Sequence, residues 1–227
     1  MRPLLATAVQ LTNRNFLLVA AVGATPVVWA DGPWSIAAPA ALVFLFVIQV
    51  VLYGQIASDV AQEPSRRWPA ILQSHWFNYL IFAAVTLVPT GLLLSLAKSS
   101  AQTTVQAVVF VEFARFAIQL ATLYMLPLVF LKRIHIQAIL LGLVFLIRAW
   151  RYSVVPIGLI AGAGVISAIR FFLMAGASFD SVPLLFTIMI AGSVLTTYLS
   201  VLAYATATQI LAMARGSDDL HAKPRTA

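Results

Sequence analysis

Cysteine is absent from the 227 residues, and with it go disulfides, thiolate nucleophiles, iron–sulfur clusters and Cys-based zinc sites. Charge is scarce as well. Asp, Glu, Lys and Arg make up 9% of the chain, where a soluble domain carries about 25%, so no water-facing surface can be built and a soluble fold is excluded. Also missing are HExxH, GxSxG, a Gly-rich phosphate loop and the dinucleotide fingerprint, the local patterns that position a metal, a nucleophile or a nucleotide. Neither a cofactor nor an enzymatic reaction is expected.

What is present is apolar length, since 62% of the residues are hydrophobic. A bilayer core of ~30 Å takes about 20 apolar residues as a helix, because in hydrocarbon every backbone N–H and C=O must be satisfied within the segment. Six runs meet or approach that length, at 15–30, 36–57, 77–97, 104–131, 152–174 and 182–213. The expectation is an all-α, polytopic membrane helix bundle, one transmembrane domain over 1–227 with six spans. Val28-Trp29-Ala30 before Asp31 has the small residue of a signal-peptide cleavage site, but the segment preceding the apolar run is long for one, and the first run is read as an uncleaved span.

The net charge of +7 would point to nucleic acid in a soluble protein. Here the basic residues sit at the ends of apolar runs, with no basic stretch carrying interleaved aromatics, and nucleic acid is excluded as a partner. Counted by alternate sides, eleven Lys and Arg fall together: Arg2, Arg14, Arg66, Arg67, Lys132, Arg133, Arg148, Arg151, Arg215, Lys223 and Arg225. Lys98 and Arg170 fall opposite, and Arg115 lies within a run. Basic residues concentrate on the cytoplasmic side, which puts both termini in the cytoplasm.

The stretch Ile134 to Ile147 is apolar but short. Its fourteen residues rise ~21 Å as a helix, and spanning would separate Lys132 and Arg133 from Arg148 and Arg151, so it is expected as a re-entrant or interfacial helix on the cytoplasmic side. In the second connection, Pro64 to Pro69 makes a turn leading into a short amphipathic helix, Ala70 to Trp76, that enters the third span. An offset of 74 residues places Leu72 on Leu146, Trp76 on Trp150 and Leu80 on Val154, which suggests an internal repeat of the kind transporters use. Trp34, Trp68, Trp76 and Trp150 fall where an aromatic belt would lie. Pro26, Pro89, Pro127 and Pro156 can kink spans.

The order of the spans and the motif Ser58-Asp59-Val60-Ala61-Gln62-Glu63-Pro64-Ser65-Arg66-Arg67, followed by a Trp-containing third helix, resemble a group of bacterial six-helix membrane proteins. That group is similar to the membrane domain of some glycerophosphodiester phosphodiesterases. The resemblance implies an architecture and a bacterial inner membrane. The chain departs from it in lacking a Gly before the basic pair and carries no phosphodiesterase domain, so no catalytic residue follows.

Chemistry concentrates in the fourth run. Glu112, Arg115, Gln119 and Thr122 share one helical face at spacings of three, four and three. A charge near the bilayer centre costs ~2.5–3.5 kcal/mol on insertion scales, so this stripe should face protein or water. In the sixth run Ser193, Thr197, Ser200, Tyr204 and Thr208 also share a face, and the Glu–Arg pair is expected to point toward it. Either the pair neutralises itself and locks two helices, or it is an intramembrane site; the hydroxyls serve packing or line a cavity. Gly158 to Gly162 is a GxxxG, a close-contact motif between membrane helices. Asp59 and Glu63, four apart, could bind a divalent ion or, more plainly, meet Arg66 and Arg67 at a solvated helix end. His75 and His135 have no ligand-spaced partner, and an enzyme acting on lipid through His75, Asp59 and Glu63 is the weakest reading. Two others stand ahead of it: a scaffold, assembly factor or accessory subunit contacting lipid and other membrane subunits, and a small transporter or channel.

Overall fold

Apolar runs without turn signals wind into helices, because only a helix closes its own backbone hydrogen bonds. In a computed structural model of the chain, which describes residues 2–30, 38–63, 67–100, 104–132, 137–176 and 182–221, every regular element among the described residues is an α-helix. In order they are α1 (Arg2–Arg14), α2 (Phe16–Ala30), α3 (Ala38–Val60), α4 (Trp68–Ser100), α5 (Thr104–Ala121), α6 (Met125–Lys132), α7 (Gln137–Arg148), α8 (Trp150–Gly176) and α9 (Val182–His221). Four segments are long and apolar enough to cross a membrane: Pro39–Val60, Glu112–Leu131, Trp150–Arg170 and Phe186–Ala214. Trp34, residues 64–66, Arg133 and His135 lie outside the described residues.

Six of the helices close a ring. Around it α2 packs on α3, α3 on α4, α4 on α5, α5 on α8, α8 on α9, and α9 back on α2, with α3 and α9 also in contact across it. The centre is filled by α6, which reaches α3, α4 and α9 from the end of α5. Its Phe130 anchors an aromatic cluster, with ring centroids 6.3 Å from Tyr53, 6.2 Å from Tyr79, 6.4 Å from Tyr204 and 4.8 Å from His75. Inside this apolar cluster the Tyr79 hydroxyl donates to Gln49 at 2.7 Å and that of Tyr204 to the Tyr53 carbonyl at 3.0 Å, so the phenols are buried with their hydrogen bonds made.

The run 104–131 is therefore not one straight helix. α5 ends at Ala121 and the chain turns over 122–124, where the Thr122 hydroxyl donates to the Ile118 carbonyl at 2.8 Å and the Met125 N–H to the Thr122 carbonyl at 3.0 Å. Pro127 supplies the reason: it has no N–H for the carbonyl four residues back and its ring crowds that turn, but it fits the first turn of a new helix. α7 then packs back on α6, with Gly142 against the Tyr124–Met125 backbone and Leu140 and Ile147 at 70% and 72% exposure. That outer face is apolar.

The residues 70–76 are the opening turns of an unbroken α4 of 33 residues rather than a separate helix. Leu72 and Trp76 thus lie within one helix, whereas Leu146 and Trp150 straddle the turn at Ala149 between α7 and α8, and the 74-residue offset pairs unlike structures. α1 is an addition. It buries Ala8 and Thr12 and packs along the C-terminal half of α9. With the Gln209 amide oriented so that Nε2 donates to the Leu4 carbonyl at 3.0 Å and Oε1 accepts from the Ala8 N–H at 3.2 Å, one side chain enters the hydrogen-bond ladder of α1. At the end of α3, Gln62 adopts φ 55°, with the Glu63 N–H bonded to Ser58 O at 3.0 Å and the Gln62 N–H to Asp59 O at 3.2 Å. This is a Schellman cap.

Candidate intramembrane polar site

Three helices converge on Glu112. The Ser167 hydroxyl of α8 donates to its Oε1 at 2.9 Å, and Ser167 is only 5% exposed. Arg170 follows Ser167 on the same face of α8, three residues on. Its guanidinium lies within Coulombic range of both Glu112 and Arg115, and its aliphatic stem runs past Gly192 of α9, where an added Cβ would come 3.2 Å from the Arg170 Cδ. Glu112, Arg115, Gln119, Ser167 and Thr196 line a cavity of about 10 Å³, which holds about one water. The Thr196 hydroxyl itself donates to the Gly192 carbonyl at 2.8 Å.

The stripe on α5 thus divides. Glu112, Arg115 and Gln119 face the cavity, while Thr122 satisfies its own helix end. The hydroxyl series on α9 turns elsewhere: Ser193 and Thr197 flank Gly23 of α2, Ser200 donates to the Thr196 carbonyl at 2.9 Å, Tyr204 reaches α3, and Thr208 donates to the Tyr204 carbonyl at 2.7 Å. The α9 side chain that meets the cavity is Thr196, one residue from Thr197. Glu112 is met from α8 by the Ser167 hydroxyl, a residue the sequence pattern did not single out. Ser167 and Arg170 repeat the three-residue spacing of Glu112 and Arg115, and that was the available signal; Arg170 was assigned to the outer surface because it lies near the end of its run.

Other expected features are redistributed as well. Asp59 pairs with Arg14, at 3.7 Å, so this carboxylate ties α1 to α3. His75 is buried against Phe130. Among the described residues no three His, Asp or Glu side chains converge as for a metal ion. Helices approach closely at Gly23, where an added Cβ would lie 2.7 Å from Val194 Cα, and at Gly54, where it would run into the Ile71 side chain, whereas one at Gly158 would meet nothing within 4 Å and one at Gly162 only Leu199 at 3.7 Å. Trp68, Trp76 and Trp150 are exposed, and Arg151 stacks over Trp150 at 5.8 Å. Comparison of the chain with protein-family models, curated proteins and solved structures gave no match.

Proposed function

We propose that the chain is a six-span, non-enzymatic protein of a bacterial cytoplasmic membrane, with both termini in the cytoplasm, that moves a small solute or ion through the polar site at Glu112 and Arg115. One observation carries the transport reading. Glu112, Arg115 and Gln119 of α5 line a small cavity that Ser167 of α8 and Thr196 of α9 complete, and ionisable groups within a span are costly to keep for packing alone. The six ring helices supply the spans. Eleven basic residues stand against Lys98 and Arg170, which supports this orientation. The bacterial membrane rests on the resemblance of the 58–67 motif.

Reconstitution into liposomes tests this reading: ion or solute flux should appear with the wild-type protein and fall at least about tenfold in Glu112→Gln, a loss of ~1.4 kcal/mol of site interaction. Flux equal in the two would refute it. A reporter fused after Ala227 should read cytoplasmic, and a periplasmic signal would mean an odd number of spans. A second reading, as a scaffold or accessory subunit, is favoured by the exposed face of α8 at Gly158, where an added Cβ would meet nothing within 4 Å and where another small-residue helix could pack. Copurification from nanodiscs of a stoichiometric membrane partner, with no flux, would favour it.

A further inference from the structure

Apart from the Glu112 cavity, a larger one of about 430 Å³ opens between α1, the end of α3 and the C-terminal half of α9. That volume falls within the ~300–1,000 Å³ of sites that hold small molecules. Its depth follows from its walls. Asp59 and Val60 stand at the end of the apolar segment Pro39–Val60, and Ala212 and Met213 near the end of Phe186–Ala214, so the cavity sits where two spans finish, at the level of lipid headgroups. Leu4, Leu11 and Met213 give it apolar sides, and Met213, at 59% exposure, continues that surface to the outside.

The polar group held ready for a ligand is the Asp59 carboxylate. The Gln209 amide is committed to the α1 backbone and the Thr7 hydroxyl donates to the Pro3 carbonyl at 3.0 Å. Among the described residues the Asp59 carboxylate accepts no hydrogen bond. Its ionic partner Arg14 is 3.7 Å away and 69% exposed, beyond the about 2.7–2.9 Å of a charge-assisted bond. The lining separates the headgroup chemistries. A phosphate needs cationic donors, and among the described residues no basic side chain lines the cavity. A quaternary ammonium is recognised by aromatic faces, and no aromatic ring lines it either. A primary ammonium needs oxygen acceptors for its N–H groups, which Asp59, the Gln62 carboxamide and the Thr7 oxygen supply.

We propose that this cavity binds a phospholipid with a primary ammonium headgroup, of the phosphatidylethanolamine type. The ammonium sits on Asp59, the phosphate turns outward to Arg14, and an acyl chain leaves along Leu4, Leu11 and Met213. An exposed ion pair is worth little by itself, so an ammonium that hydrogen-bonds Asp59 displaces Arg14, and the freed guanidinium takes the phosphate. The bound lipid ties α1 to α3 and α9. This site shares no lining residue with the Glu112 cavity and stands apart from the transport reading.

The test uses the full-length protein in phosphatidylcholine nanodiscs into which phosphatidylethanolamine, its N-methyl and N,N-dimethyl forms, or phosphatidylglycerol is mixed, with amide exchange of residues 4–12 as the readout. Protection by a ligand that holds only the closed form scales as 1 + [L]/Kd, so exchange should slow saturably, by about fourfold at roughly three times the half-saturating fraction of phosphatidylethanolamine. Each added methyl group removes an N–H donor and should shrink the effect, and phosphatidylglycerol should have none. Asp59→Asn should abolish the lipid dependence. Each variant is compared with itself in pure phosphatidylcholine, so any loosening of α1 by loss of the Arg14 contact cancels. Met213→Trp keeps the carboxylate, fills the cavity from an exposed position and should abolish the dependence as well; should Asp59→Asn fail to fold, this variant and the methyl series decide. Exchange indifferent to phosphatidylethanolamine, equal slowing by phosphatidylglycerol, no loss along the methyl series, or slowing that persists in either variant would each overturn the proposal.

Discussion

Replacing Gly23 by Ala asks whether the α2–α9 contact is as close as the backbone places it. The new Cβ would sit 2.7 Å from Val194 Cα and 3.1 Å from both the Ser193 carbonyl oxygen and Thr197 Oγ1. Carbon atoms pack at ≈ 3.5–4.0 Å, so α2 would have to move away by about 1 Å. The nearest obstructing atom, Val194 Cα, and the Ser193 carbonyl oxygen are backbone and cannot rotate aside. Overpacking of this kind costs ~1–3 kcal/mol, and the matched control has the opposite sign. Gly158→Ala adds a methyl where nothing lies within 4 Å, and Ala is favoured over Gly inside a helix by roughly 0.5–1 kcal/mol. Thermal unfolding of both variants in one detergent should therefore lower the midpoint for Gly23→Ala and leave it unchanged or raised for Gly158→Ala. If Gly158→Ala were the more damaging of the two, the packing assignment would be wrong.

Two further changes probe the cytoplasmic end. Gln62→Gly relieves a non-glycine residue of its left-handed conformation at φ 55° and should stabilise the protein by about 0.5–1 kcal/mol, read as a higher thermal midpoint. A lower midpoint would mean that the Gln62 side chain outweighs the cap. Gln209→Leu removes two hydrogen bonds to α1, worth ~1–3 kcal/mol together, so amide exchange across residues 4–12 should quicken by about tenfold or more while α9 itself stays protected. Exchange unchanged in α1 would show that the helix is held by apolar contact alone.

The membrane class and most helix bounds were legible because hydrophobic length is a local property. The run 36–57 corresponds to α3 and 152–174 to α8, each within a few residues. α1 went unplaced: Leu4, Ala8 and Leu11 fall on one face, but these thirteen residues were weighed only as the segment preceding the first apolar run. The break at 122–124 had its signal in Pro127, which was read as a kink when it marks a new helix crossing the ring. What stayed out of reach was rotational. Whether Thr196 or Thr197 meets the charged stripe depends on how α9 is turned about its axis, and that is set by Gly23 admitting α2 and Gly192 admitting Arg170. Such long-range close approaches leave no periodic trace. Glu112, Arg115 and Gln119 were recognisable as a stripe because an ionisable pair in an apolar helix stands out by itself, whereas Arg170 was hidden by its nearness to the end of a run.

The measurement that tests the central claim most directly is a double-mutant cycle between Glu112 and Arg170, residues that share a site only if α5 and α8 converge as described. Glu112→Gln, Arg170→Met and the double variant would be compared with the wild-type protein by thermal or chemical unfolding in nanodiscs. Each single change removes the attraction between the Glu112 carboxylate and the Arg170 guanidinium, and the double variant loses it only once, so it should be less damaged than the sum of the singles by about 1 kcal/mol. Additivity within ~0.5 kcal/mol would mean that the two groups do not share a site, and the three-helix cluster would not stand.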